Sequence, residues 1–184
     1  IDTGDYIHVR NVIISGELDR GNDEGATFTG PNDPAKVARI DRANPFEGST
    51  NIEVNDGDYV TIENLTLTGA NAGLWVHNGS DAFTLGRMTV TDNTGFGIRL
   101  ENSGTSTLAD VTATNNGGDG IVLTGGSGLT TLDRIVATGN SGTGVSVSSS
   151  GAVVIDTITV TGNAGTGVSV SANGGSIDAY IVNN

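Results

Sequence analysis

The sequence predicts an all-β fold, a solenoid of stacked coils, on three observations. The first is a repeat: LTLTGANAGLWVHNGSD, MTVTDNTGFGIRLENSG, VTATNNGGDGIVLTGGS, IVATGNSGTGVSVSSSG and ITVTGNAGTGVSVSANG fall into register. The glycine ahead of the last strand of each unit is Gly73, Gly97, Gly120, Gly144 and Gly167, at spacings of 24, 23, 24 and 23. The second is the alternation of apolar and polar residues within each unit, the period of a half-buried strand. The third is composition: 29 glycines, 3 prolines and 16% charged residues in 184. Turn formers and β-branched residues dominate, which is strand-and-turn chemistry rather than disorder. A unit of about 23 residues cannot bury its apolar face alone, whereas stacked coils bury a continuous one.

The same composition narrows the function. There is no cysteine, so neither a disulfide framework nor thiolate chemistry is available. A formal charge of −13 disfavours nucleic acid and anionic membrane surfaces as partners. No apolar run reaches the length of a membrane span, so no membrane insertion is expected.

Each unit divides into three strands, as in YVTIE, LTLT and GLWVH. In this the chain resembles right-handed parallel β-helix proteins of the pectin-lyase-like superfamily. There a second-sheet strand kinks through a short turn, often at Asn, into the third sheet, and a longer turn leads to the first. Asn64 and Asn11 match that kink asparagine, while later coils carry Gly86, Asp110, Asp133 or Arg134, and Asp156 near it. The resemblance implies a single-stranded, right-handed helix of about seven coils and three short sheets. The superfamily includes lyases, hydrolases, epimerases, adhesins and non-catalytic scaffolds, so it implies no one function.

At the N-terminal end DYIHVRNVIISG (5–16) matches DYVTIENLTLTG (58–69) at an offset of 53. The excess over one coil predicts an insertion of about 30 residues, 17–49, in the turn between third and first sheets, and the resemblance implies that it lies as a loop over the first sheet. Loops of that length inside a compact domain are usually functional or disordered. Within it, Asp33 as N-cap, Pro34 in the first turn and Asn44 before Pro45 predict a short helix. Lys36, Arg39 and Arg42 would form one stripe of that helix, beside an apolar pair, Val37 and Ile40. The domain expected is 1–184, a piece of a larger protein with its terminal coils open to end-to-end self-association.

Alternation assigns the faces of the first-sheet strands. Leu74/Val76, Ile98/Leu100, Ile121/Leu123, Val145/Val147 and Val168/Val170 point inward. The outward pairs are Glu53/Asn55, Trp75/His77 and Arg99/Glu101, and then only Val122/Thr124, Ser146/Ser148 and Ser169/Ser171. The chemically varied patch of this face therefore contains the sole tryptophan and expects it, with His77, to face solvent. A pyranose stacks its C–H face on indole, while Arg and carboxylates take hydroxyls or uronate groups. Trp75, His77, Arg99, Glu101, Glu53 and Asn55 are the candidate binding residues.

Catalysis ranks below binding. A lyase of the resembled fold needs a basic residue to take the proton α to a uronate carboxyl, and Arg99 is the candidate here. No cofactor is required for binding; Ca2+ belongs to the lyase reading, with Asp19, Asp23 and Glu53 as weak candidate ligands. Inverting hydrolysis needs carboxylates roughly 6.5–9.5 Å apart. Glu53 and Glu101 are two coils apart, about 9.6 Å in the stacking direction and a column apart as well. The Asp-Pro-His motif of epimerases with this coil style is absent. Ranks of Thr-x-Thr on the third sheet (66/68, 89/91, 112/114, 159/161) resemble the ice-binding face of antifreeze solenoids. The sequence thus points to a secreted or cell-surface bacterial module that recognises a polysaccharide. A uronate lyase is the alternative, and an adhesin-like or ice-binding scaffold the third reading.

Overall fold

The computed structural model describes residues 12–15, 26–33, 38–102, 104–173 and 177–182, with backbone alone for 12–15 and 177–182. The strands are β1 (Val12–Ser15), β2 (Thr27–Thr29), β3 (Ala38–Asp41), β4 (Thr50–Asn55), β5 (Val60–Glu63), β6 (Leu65–Thr68), β7 (Ala72–His77) and β8 (Phe83–Thr91). They continue as β9 (Ile98–Asn102), β10 (Ser106–Thr114), β11 (Ile121–Gly125), β12 (Thr130–Thr138), β13 (Val145–Ser149), β14 (Val153–Thr161), β15 (Val168–Ala172) and β16 (Ile177–Val182). One parallel sheet runs β1-β4-β7-β9-β11-β13-β15. The other runs β2-β5-β8-β10-β12-β14-β16, with β3 beside β6 and β6 beside β8. Successive strands of each sheet come from successive coils, which is a parallel β-solenoid of about six turns.

The expected second and third sheets run on as one bent sheet from β8 onward. The bend is one residue in the left-handed region: Asn64 (φ 59°), Arg87 (φ 48°), Asp110 (φ 56°) and Arg134 (φ 51°). That residue resets the alternation by one. Phe83 and Leu85 point inward before the bend of β8, and Met88 and Val90 after it, all buried. The kink of this coil is thus Arg87, not Gly86. Left-handed φ is costly for a side chain other than Asn, Asp or Gly. At Arg87 and Arg134 the geometry coincides with ion pairing down the corner. Arg87 donates to Asn64 Oδ1 at 2.6 Å and Glu63 Oε2 at 2.5 Å. Arg134 grips both oxygens of Asp110 at 2.6 and 2.9 Å, and also pairs with Asp133.

The N-terminal coil departs from the expected insertion. Val12–Ser15 pairs with Ile52–Asn55, so it is a first-sheet strand and not the third-sheet strand that the match to 58–69 predicts. The intervening segment supplies the other walls of the coil: Thr27–Thr29 pairs β5 and Ala38–Asp41 pairs β6. These described strands are coil walls rather than a loop laid over the first sheet, and residues 16–25 and 34–37 lie outside the described residues. A short apolar strand fits any wall of a solenoid, and in sequence Asn11 and Gly16 flank this one as Asn64 and Gly69 flank the third-sheet strand Leu65–Thr68. No helix occurs among the described residues. Ala38–Asp41 is a strand because Ala38 and Ile40, at 6% and 2% exposure, fill core positions beside Leu65 and Leu67. Arg39 then faces out and pairs with Asp41, and Arg42 donates to the Thr50 carbonyl. Pro34, Lys36 and Val37 lie outside the described residues.

The core is a set of stacked aliphatic columns. Ile52, Leu74, Ile98, Ile121 and Val145 follow one another in register, each at 0% exposure. At β15 the same columns, Val168 and Val170, are only half-buried. A polar ladder runs alongside, in the turn between the bent sheet and the first. Asn116, Asn140 and Asn163 each accept, on Oδ1, the Nδ2 and the backbone N–H of the asparagine one coil before, and Asn93 Oδ1 accepts the Ala70 N–H. Where Ala70 interrupts the series, Asn51 reaches across to Asn93 Oδ1 at 3.0 Å.

Candidate functional site

β4, β7 and β9 lie side by side on the first sheet, with Glu53 beside Trp75 and Trp75 beside Arg99 in register. Because Ile52, Leu74 and Ile98 fill the core, the next residue on each strand must face away from it. Further along this sheet the same row is Val122, Ser146 and Ser169. The structure therefore joins the candidate residues of three consecutive coils into one patch.

His77 and Trp75, two residues apart on β7, stack with ring centroids 4.2 Å apart and planes 24° from parallel. His77 Nε2 lies 2.9 Å from Glu53 Oε1. An ionised carboxylate only accepts, so Nε2 carries the proton in this bond. The expectation that both rings face solvent holds in direction but not in exposure. His77 is 9% exposed, covered by the indole on one side and fixed by Glu53. Trp75 is half-buried, and its Nε1 is enclosed without a hydrogen-bond partner. One face of the indole belongs to His77, and the exposed remainder is what a ligand can reach.

Arg99 is the exposed cation of the patch, its side chain 46% accessible. Its Nε is 2.6 Å from Glu101 Oε1, and its guanidinium lies 6.0 Å from the centre of the Phe96 ring. Paired with a carboxylate and leaning on an aromatic ring, the Arg99 guanidinium suits an anionic or hydroxyl-rich ligand better than proton abstraction. Asn55 accepts from Asn78 Nδ2 at 2.8 Å at the edge of the patch. Phe96 and Asn78 were not among the candidates. Phe96 sits in the turn before β9, outside the strand alternation that selected the others, and its signal was only its place three residues before Arg99.

Asp19 and Asp23 lie outside the described residues. Among the described residues no group of three or more His, Asp or Glu side chains is placed to hold a metal ion. On the bent sheet the Thr-x-Thr ranks are in register from β6 to β14. Several of their hydroxyls bond within the protein: Thr91 to Asp92, Thr114 to the Thr138 carbonyl, and Thr138 to Thr161.

The family model of the right-handed beta helix region matches residues 33–184. No curated protein and no solved structure matches the chain significantly.

Proposed function

The chain belongs to the right-handed β-helix family, and from that premise we propose that it is a secreted or cell-surface module that binds a polysaccharide through the Trp75 patch. The observation that carries this reading is the Glu53–His77–Trp75 assembly. A carboxylate fixes an imidazole, and the imidazole fixes an indole, on a face that beyond Arg99 and Glu101 is serine, threonine and valine. A flat aromatic ring held in one orientation loses little freedom when a sugar ring stacks on it, and such pre-organisation favours binding. Arg99 and Glu101, one coil further, supply a donor and an acceptor for hydroxyls. The chemistry accommodates both neutral and uronate sugars, and bound Ca2+ would assist only the latter.

Binding is favoured over a uronate lyase because Arg99 is engaged with Glu101 and His77 with Glu53. The test is co-sedimentation with insoluble polysaccharides, comparing the protein with its Trp75→Ala form. Retention that depends on Trp75, without a rise in ultraviolet absorbance from new unsaturated ends, is expected. Such a rise on a uronate polymer would favour the lyase, and retention independent of Trp75 would remove the patch from the account.

A further inference from the structure

Phe46 is 77% exposed, the most open large apolar residue among the described ones. Single exposed hydrophobic residues are ordinary on protein surfaces. What sets Phe46 apart is how firmly its loop is held. The segment 42–49 joins β3 to β4 on the flank where each coil turns toward the first sheet. Its Asn44 N–H donates to the Gly69 carbonyl at 2.9 Å, and its Ser49 N–H donates to the Phe46 carbonyl at 3.1 Å. Ser49 Oγ accepts from the Asn71 N–H at 2.8 Å. Thr94 Oγ1, from a later coil, donates to the Pro45 carbonyl at 2.7 Å. The loop is thus bonded across two further coils while its aromatic ring stands in water.

These contacts also place the loop next to the Trp75 patch. Thr94, which holds Pro45, is two residues from Phe96. The Phe96 ring lies under the Arg99 guanidinium, and Arg99 is the register neighbour of Trp75. The path from Trp75 thus runs through its register neighbour Arg99, the Phe96 ring and Thr94 to Pro45, the residue before Phe46. We propose that Phe46 is a second, outlying contact for the same ligand, so that the site recognises an extended glycan chain rather than a terminal sugar. This rests on the reading of Trp75 as a saccharide platform. A sugar on the indole would direct the next rings past Arg99 and Phe96, and only a chain of several rings would reach Phe46.

The experiment uses the indole of Trp75 as reporter and size-graded oligosaccharides of galacturonate, alginate and xylan as probes, with the protein and its Phe46→Ala form. Phe46 is exposed, so circular dichroism should be the same for both. For a probe series that changes the emission, affinity should rise with length in the unaltered protein. Phe46→Ala should weaken the long members by roughly two- to tenfold, the scale of one aromatic contact, and leave the shortest unchanged. Equal affinities of both forms at every length would overturn the proposal while leaving Trp75 as a binding residue. Unchanged emission with all three series in both forms would overturn the Trp75 reading, and the proposal with it.

Discussion

Asn140 donates from Nδ2 to Asn163 Oδ1 at 2.9 Å, and from the same nitrogen to the Ala113 carbonyl at 3.0 Å. Its Oδ1 accepts from Asn116 Nδ2 and from the Asn116 N–H, each at 3.0 Å. All the hydrogen-bonding capacity of this side chain is turned inward, at 1% exposure. Asn140→Ala would leave the Asn116 and Ala113 groups unsatisfied in a buried turn, at a cost of about 2–4 kcal/mol. Asn140→Asp should cost at least as much, because a carboxylate oxygen would face two acceptors. Urea unfolding of the three forms measures this, and a loss below about 0.5 kcal/mol for Asn140→Ala would contradict the role given to the ladder.

The glycine column that reveals the repeat is required by this ladder. A Cβ on Gly120 would stand 2.6 Å from the Gly144 carbonyl oxygen and 2.7 Å from Asn140 Nδ2. Gly97 and Gly144 are confined in the same way by the next coil and the next asparagine. Gly120→Ala must therefore push two coils apart or displace Asn140, costing about 1–3 kcal/mol as an overpacked site. Gly48, whose absent Cβ would meet nothing within 4 Å, is the contrasting position. Its φ of 79° makes substitution a matter of backbone strain alone, so Gly48→Asn should be tolerated better than Gly120→Ala. Thermal unfolding compares the two.

How much was legible follows from these residues. The stack of coils could be read because Gly97, Gly120 and Gly144 repeat at a period fixed by close approach, and because inward aliphatic residues alternate. The faces of β7 and β9 followed from the same alternation, which is why Glu53, Trp75 and Arg99 do lie side by side. The first coil differs from its expected place because Asn11 and Gly16 flank Val12–Ser15 as Asn64 and Gly69 flank the third-sheet strand Leu65–Thr68, yet Val12–Ser15 pairs with Ile52–Asn55 in the first sheet. The helix expected from Asp33, Pro34 and Asn44 before Pro45 lost to Ile40, whose burial beside Leu67 outweighs local propensity at Ala38–Asp41. The Asn93–Asn163 ladder stands in TDN, TNN, TGN and TGN, but asparagine is so common in turns that the sequence alone does not mark these as buried. His77 was expected in solvent because alternation gives direction only. That its neighbours Trp75 and Glu53 would enclose it is a matter of side-chain geometry.

The corner ion ladder gives the protein a dependence on acid. The hydrogen bond from Arg134, aided by its charge and by that of Arg87, holds the Asp110 carboxyl below its usual 3.8. A carboxyl depressed in the folded state binds protons less readily than in the unfolded chain. Its contribution to stability is then fully present above 3.8 and is lost as pH falls through the lower folded value. The pair is largely open to solvent, so the contribution is small and salt-sensitive. Asp110→Asn should be less stable than the unaltered protein at neutral pH and low salt, with the difference shrinking below pH 3.8. A difference that stays constant down to the acid limit, read by urea midpoints across pH, would show that the ion pair has no part in it.

The central claim is that the Trp75–His77 stack is a platform for a sugar ring, and the sole tryptophan of the chain reports on it directly. Titrating neutral and uronate oligosaccharides while following indole emission should give a saturable shift or quench. Affinities for short oligomers should be roughly micromolar to millimolar. Arg99→Ala should weaken uronates more than neutral sugars, since it removes the exposed cation of the patch, and the bound sugar should shield the indole from iodide and acrylamide. Emission that no glycan alters, from an indole already inaccessible to both quenchers, would contradict the account and leave Trp75 as a packing residue of the first sheet.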